Sequence, residues 1–271
     1  MSLPIVKLDR GIHSMHLFYR VNRTAWAHWG SGAAAQARER LESLCALNVG
    51  PSHPLLRTYA GVGGKADLAF WLFHEDLVGL SRLHRETEAC FAPGTLTPVY
   101  SFLSITELTE YMPKEEDNKR RVQHEFKLEA GTPEFAAKLA EIEKQSREYE
   151  HYRLYPEMPD WEIMSFYPML KRRQGADNWY LLDFEKRKGL MRGHAATGRK
   201  FAGRVKQLIT GSTGLDDWEW GVTLLAHQLD ALKDIVYEMR LDEVSARYGE
   251  FGPFYTNLRL PPAALWAHLN L

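Results

Sequence analysis

The alternation of apolar and polar positions predicts strands and helices in an order that occurs twice along the chain. Period-two patterns indicate strands, and apolar residues at spacings of three and four indicate helices. The first half is predicted to contain a strand at 12–22, a helix from Asn22 or Thr24 to about Leu47 that is broken near Gly50-Pro51, a hairpin formed by LLRTYAGV and ADLAFWLFH around Gly63-Gly64, a helix at about Glu75 to Ala89 and a strand at 96–108. This order is βαββαβ.

The second half repeats the same order. It is predicted to contain a strand from Trp161 to Lys171, a helix from Phe184 to about Phe201, a hairpin of 205–213 and 218–227, a helix from Leu229 to Arg240 and a strand from Phe251 to Leu260. A weak echo between ADLAFWLFHEDLVGL and WEWGVTLLAHQLDAL supports an internal doubling. The predicted fold class is therefore α+β, a doubled ferredoxin-like βαββαβ chain whose two sheets face each other.

The two predicted repeats are separated by a charged segment. Residues 109–132 have little apolar periodicity and are expected to form a solvated connector, after which Thr132-Pro133 begins an amphipathic helix. We therefore expect an N-terminal domain at 1–108, a linker and connecting helix at 109–150, and a C-terminal domain at 151–271.

Composition narrows the classes of function. A formal net charge of −1 over 271 residues provides no field that would attract phosphate backbones, so nucleic acid is not an expected partner. The chain shows no signal-peptide pattern at its start and no apolar run long enough to span a membrane, so we expect a cytoplasmic protein. Cys45 and Cys90 lie far apart and outside any CxxC motif, which gives no indication of a thiolate metal site.

One histidine lies on the apolar face of a predicted helix. Leu190, His194 and Gly198 recur at a spacing of four, and the small residues around His194 would let something flat and broad approach closely. An imidazole facing an apolar slab is the usual proximal ligand of haem iron. The alternative is a core histidine with a hydrogen-bonding partner, and spacing alone leaves both interpretations open.

Polar side chains also occur at core-like positions of two predicted strands. Period two places Tyr167, Met169 and Lys171 on one face of the strand WEIMSFYPMLK, which would suit a flat, anionic ligand. A Tyr bonded to backbone and a Lys that reaches solvent remain the alternative. Gln207 is costly to bury without a partner, either a ligand or a neighbouring side chain. Arg240 could meet carboxylates near the last strand, although surface ion pairing would also explain it.

Four stretches of the second half resemble a known family. YPMLKRR, NWYLL, LMRGHAATGRKFAGRVKQLITGSTGLDDWEWGVTLLAH and IVYEMRLDEVSARYGEFGPFY are similar to the coproheme decarboxylases of the chlorite dismutase superfamily, Firmicutes type. The resemblance implies a doubled ferredoxin-like α+β barrel, a homopentamer and a haem site in the C-terminal half. It also implies iron coproporphyrin III (coproheme) as substrate, hydrogen peroxide as oxidant and haem b as product, with coproporphyrin ferrochelatase as a transient partner.

The same resemblance assigns roles to individual residues. His194 corresponds to the proximal iron ligand, Tyr167 to a redox-active tyrosine, and Gln207 and Lys171 to its catalytic partners. The residues around the macrocycle would be Arg153, Tyr167, Met169, Lys171, Gln207, Arg240 and Ser245. Chlorite-degrading relatives carry an arginine at the position of Gln207, which favours decarboxylation over the alternatives. These alternatives are a haem b chlorite dismutase or peroxidase, and a haem-binding protein without catalysis.

Overall fold

The computed structural model describes residues 3–49 and 55–271, so the helix break predicted at Gly50-Pro51 lies outside the described residues. The first half contains β1 (His13–Val21), α1 (Arg23–His28), α2 (Ser31–Leu47), β2 (Leu55–Val62), β3 (Leu68–His74), α3 (Leu77–Glu88) and β4 (Leu96–Ile105). Two helices follow, α4 (Glu115–Glu125) and α5 (Pro133–Leu154). The second half contains β5 (Ile163–Lys171), α6 (Phe184–Arg199), β6 (Val205–Gly211), β7 (Trp220–Ala226), α7 (Leu229–Arg240), α8 (Glu243–Tyr248), β8 (Gly249–Phe251), β9 (Tyr255–Arg259) and α9 (Pro262–Leu269).

The strands form one antiparallel sheet that closes on itself. The order β4-β1-β3-β2 in the first half matches the order β9-β5-β7-β6 in the second, which is the ferredoxin-like arrangement. Pairing of β2 with β9 and of β4 with β6 joins the two sets, and β8 adds a short strand beside β5. The predicted α+β class with a large sheet is confirmed. Within the described residues, no helix has the length and apolar character to cross a membrane.

Three predicted elements were wrong in detail. The first helix is divided into α1 and α2 at Gly30, whose positive φ of 83° does not continue a helix. The expected connector contains α4, which begins with three acidic residues and buries Val122 against α5. Acidic residues stabilise a helix N-terminus, and one buried valine is too little to create a periodic signal. The expected strand from Phe251 to Leu260 is instead β8 and β9, separated by the Gly252-Pro253 segment.

The interior of the closed sheet is filled by side chains. Phe18, Trp71, Phe102 and Phe166 are at most 1% exposed and pack there with other aromatic residues. On the outside of the first half, α2, α3 and α9 cover the strands with a second closed core that includes Leu41, Phe70, Phe91 and Trp266. In the described residues, the interior of the sheet and the outer side of the first half are therefore both filled by side chains.

His16 makes the stability of this interior dependent on pH. It stacks on Trp71 and Phe166, and burial lowers its pKa to about 3. Because the unfolded chain takes up this proton at about pH 6.5, the stabilisation is lost as the pH falls below that value, by about 2 kcal/mol at pH 5. The free energy of unfolding of wild type and of His16→Gln is measured at about pH 6.5 and at about pH 5. It should depend less on pH in the variant. The exposed His28→Gln is the control, and equal slopes in all three proteins would contradict the assignment.

Candidate functional site

Helix α6 is packed less completely than its counterpart in the first half, although Leu190 and Met191 contact the cluster around Trp179 and Tyr248. None of its sixteen residues is buried, whereas α2, at the equivalent place in the first half, buries Ala34, Ala37, Leu41 and Cys45. Its main neighbours are α7 and α8 rather than the strands. The apolar face of an amphipathic helix normally packs against a core, and the apolar face of α6 does so only in part. A ligand bound on this side of the second half would complete the packing.

His194 lies half-buried on the apolar face of α6 and is oriented by an aspartate. Its Nδ1 is 2.7 Å from Asp242 Oδ2, and the other oxygen of Asp242 accepts the Ser245 N–H at 2.9 Å and thereby caps α8. Burial alone would raise the pKa of Asp242, but these two contacts hold it below its usual value. The Nε2 atom has no hydrogen-bond partner in the described part of the chain. This arrangement leaves Nε2 free to bind a metal.

The outer face of β5, β7 and β6 forms the floor opposite this helix. Tyr167 of β5 pairs with Val222 of β7, which pairs with Ile209 of β6. Two residues further along, Ser165, Leu224 and Gln207 are neighbours in the same way. Residues in register share a face, so Tyr167 and Gln207 lie on one surface.

Tyr167 is enclosed by aromatic rings. Its ring stacks on Phe254 with centroids 4.3 Å apart and lies 5.8 Å from Phe251, while the Arg240 guanidinium lies over both phenylalanines. Burial raises the pKa of Tyr167, and nearby Arg240 opposes that rise only in part. Among the described residues, its hydroxyl has no hydrogen-bond partner. A neutral phenol with an unused hydroxyl is thus held on the floor.

Lys171 and Gln207 also carry unused polar groups. Lys171 is 6% exposed, its Nζ lies 4.9 Å above the Trp179 ring, and burial lowers its pKa to about 8 against the opposing effects of Asp242 and Glu219. The Gln207 side-chain amide lies close to Gly198 of α6, since a Cβ added there would be 3.3 Å from its Nε2. Neither Lys171 Nζ nor the Gln207 amide has a hydrogen-bonding partner within residues 3–49 and 55–271.

Two further predicted residues lie at the edge of the site. Arg240 and Ser245 line a pocket of about 500 Å³ together with Arg172 and Trp218. Glu250 also lines this pocket and lies 3.6 Å from Arg172, so Arg240 is the lining cation that suits a carboxylate. Met169 is half-buried on the floor, where it pairs with Trp220 and Phe251.

Arg153 lies apart from this pocket. Its guanidinium donates to the backbone oxygens of Glu107 and Ile209, at 3.4 and 3.2 Å, and so connects the end of β4 to β6. Its Nε is buried without a partner in the part of the chain that the structure describes.

Sequence analysis missed four residues that shape the site: Asp242, Trp179, Phe254 and Glu107. A signal existed only for Asp242, because an aspartate before Glu243 and a helical turn is typical of an N-cap. The other three reach the site through loops or through contacts between the two halves. Such contacts leave no local pattern.

Comparison with known proteins identifies the family. Residues 33–260 match the family model described as chlorite dismutase. The chain belongs to this family. A heme-binding protein from Thermus thermophilus is 36% identical, with 99% of this chain and 98% of that chain covered and a TM-score of 0.77. A chlorite dismutase from Candidatus Nitrospira defluvii, solved with imidazole, is 16% identical, with 97% of both chains covered and a TM-score of 0.70, and it shows the shared fold.

The site residues of this chlorite dismutase family member fit a flat macrocycle that carries carboxylates. Unpaired polar groups of His194 on α6, of Tyr167 and Lys171 on β5 and of Gln207 on β6 all lie in the second half, where α6 has no buried residue. Tyr167 and Lys171 are buried and His194 and Gln207 are half-buried, so their unpaired groups provide hydrogen-bonding capacity that a bound ligand would use. His194 Nε2 would hold a central metal, and Lys171 and Arg240 would meet acidic side arms.

Proposed function

We propose that the protein converts iron coproporphyrin III to haem b by hydrogen peroxide-dependent oxidative decarboxylation of two propionates. Each propionate, R–CH₂–CH₂–COO⁻, gives R–CH=CH₂ and CO₂ with loss of one proton and two electrons. One molecule of peroxide accepts the two electrons and is reduced, with two protons, to two molecules of water. The observation that carries the proposal is the buried Tyr167 phenol, which has no hydrogen-bond partner in the described chain and lies near the cationic side chain of Arg240, while Lys171 follows on the same face of β5.

The side chains of this chain would divide the work as follows. His194 holds the iron through Nε2. Asp242 accepts a hydrogen bond from the Nδ1–H of His194, and this bond fixes the orientation of the ring. Lys171 and Arg240 hold carboxylates, Ser245 lines the pocket beside Arg240, and Met169 is an apolar contact on the floor. The iron of the bound substrate supplies the oxidising chemistry with peroxide. Tyr167, once oxidised, takes a hydrogen atom from the β-carbon of the propionate.

Gln207 distinguishes the proposed reaction from chlorite degradation. An amide on this face can donate to or accept from a small ligand, but it brings no positive charge. The chlorite-degrading relatives that the sequence resembles have an arginine there, whose charge suits an anionic oxidant such as chlorite. The neutral Gln207 suits hydrogen peroxide, which carries no charge.

Mass spectrometry of the tetrapyrrole tests the proposal. Purified protein is loaded with ferric coproporphyrin III and titrated with hydrogen peroxide. We expect a monovinyl species followed by haem b. Bound but unchanged coproheme would support a heme-binding protein without catalysis, and bleaching without vinyl products would support a peroxidase. Oxygen release from chlorite is the corresponding test for a chlorite dismutase.

The charge of Lys171 should make substrate affinity depend on pH. Only the protonated amine attracts a carboxylate, so affinity is full below about pH 8 and falls above it, by about tenfold per pH unit until the bound state also titrates. Iron-free coproporphyrin III is the probe, because hydroxide then has no iron to bind. Lys171→Met should bind weakly and should not lose further affinity above about pH 8. Lys200→Met, which removes an exposed lysine at the end of α6, should lose affinity above about pH 8 as wild type does. The same loss of affinity in Lys171→Met as in wild type would contradict the role of Lys171.

We further propose the division of the chain at 1–108, 109–150 and 151–271, a homopentameric assembly, a cytoplasmic location and transfer of substrate from coproporphyrin ferrochelatase. These proposals rest on the resemblance of the sequence, and the oligomeric state is checked by light scattering of the purified protein.

A further inference from the structure

Glu107, just beyond the end of β4, places its carboxyl group directly on β6. A Cβ built on Gly211 would lie 2.3 Å from Glu107 Cδ and 2.4 and 2.5 Å from the two carboxyl oxygens. Any side chain at position 211 would therefore occupy the space of this carboxyl. Glycine within a strand often marks such a close approach, and here it lets a group from the first half lie on the floor of the second.

The carboxyl lies on the same face as Tyr167 and Gln207. Gly211 pairs with Trp220, which pairs with Met169, and this row is next to the row that holds Ile209 and Tyr167. Sheet geometry puts Gly211 about 12 Å from Tyr167, two strands across and two residues along. This spacing is within the width of a tetrapyrrole with its side arms, so a ligand in contact with Tyr167 can also reach Glu107.

The surroundings of Glu107 favour its neutral form. Burial raises the pKa of the carboxyl, and Trp220 and Arg153, the groups that face it, oppose the rise only in part. Arg153 is directed to two backbone oxygens, so it does not form a close ion pair with this carboxyl. A glutamic acid that keeps its proton can donate a hydrogen bond, which an ionised one cannot.

We propose that Glu107 is a substrate-facing residue that shares its proton in a hydrogen bond with one carboxylate of the bound tetrapyrrole. This inference rests on the proposed function for the identity of the ligand. Lys171 and Arg240 would bind carboxylates by charge, whereas Glu107 binds one as an acid. The proton stays within the pair, and ionisation of Glu107 turns the attraction into repulsion.

Binding titrations across pH test the inference. The affinity of ferric coproporphyrin III, followed by its Soret absorption between about pH 5 and pH 7.5, should fall with rising pH in wild type, by about tenfold once Glu107 is ionised. Glu107→Gln keeps a donor and should bind tightly with no pH dependence in this range. Glu107→Ala should bind weakly already at the acidic end. The tetramethyl ester of the same iron porphyrin has no carboxylate to pair, so its affinity for wild type should not follow this titration.

A matched variant separates this role from a structural one. Glu110→Gln removes a carboxyl from the same segment, where it pairs with Arg187 at the surface, and should titrate as wild type does. If Glu107 only holds β4 on β6, Glu107→Gln will change the melting temperature but not the pH profile of binding, and the inference fails. If the pH dependence of binding disappears in Glu107→Gln, the inference stands. If peroxide leaves the bound porphyrin unchanged, the proposed function fails, but the inference about binding does not.

Discussion

Replacing Tyr167 by phenylalanine should abolish the formation of haem b while leaving binding of coproheme nearly intact. Phenylalanine keeps the ring that stacks on Phe254 and lies beside Phe251, so packing is preserved. The hydroxyl has no partner in the described chain, and its loss leaves no buried group unsatisfied. We expect turnover to fall by on the order of 1,000-fold or more, with affinity within about twofold of wild type.

Single-turnover assays by mass spectrometry, combined with Soret titrations, measure both effects. Tyr155→Phe is the control, because it removes a phenol hydroxyl whose contact is the backbone of Gly11, away from the site. Haem b formed by Tyr167→Phe at the wild-type rate would exclude Tyr167 as the residue that takes the hydrogen atom. Weak binding by the same variant would instead assign its hydroxyl to substrate binding.

The floor of the site could be predicted from the sequence because strand faces follow a strict period of two. Tyr167 and Met169 belong to one face of β5, while Met164 and Phe166 belong to the interior of the sheet, as the alternation indicated. The same holds for α6, whose spacing placed His194 on the apolar side. Local periodicity was enough for these residues, since each lies within a regular element.

The remaining parts of the site depend on contacts between distant segments. Asp242 reaches His194 across 48 residues, and Glu107 reaches Gly211 from the first half. The turn that follows β2 also contributes, since Lys65 donates to the backbone oxygen of Phe254 at 2.8 Å, next to the ring that covers Tyr167. Such pairings depend on how the two sheets join, which is a property of tertiary packing rather than of local sequence.

The difference between the two halves explains why one of them can take a ligand. Both have the same strand order, but the first half is closed by α9, which comes from the end of the chain and adds Leu265, Trp266 and Leu269 to its core. In the second half, α7 takes the place of α3 and buries Ala231, Leu232 and Ile235, but α6 has no buried residue and no counterpart of α9 covers it. The two halves are thus packed unequally, and a macrocycle bound beneath α6 would supply the contacts that α6 lacks.

Removing the imidazole of His194 should cause the largest loss of affinity for an iron porphyrin. His194→Ala deletes the proposed iron ligand, and we expect affinity for ferric haem b to fall on the order of 100-fold, with a changed Soret band. Added imidazole should restore part of the spectrum, because the deletion leaves space for it on α6. Asp242→Asn should have a smaller effect, on the order of tenfold, since it keeps a contact to Nδ1 but loses the charge that orients the ring.

His227→Ala is the matched control for this prediction. His227 is also paired with a carboxylate, that of Glu162, but it is exposed and lies on the loop between β7 and α7. Its loss should leave the Soret band and the affinity unchanged. Iron-free porphyrin separates the two possible causes of a weak His194→Ala variant, because it packs under α6 without an axial bond. Equal loss of affinity for the iron-free and ferric forms would mean that His194 contributes packing rather than a bond to iron, and an unchanged ferric spectrum would place the axial ligand elsewhere.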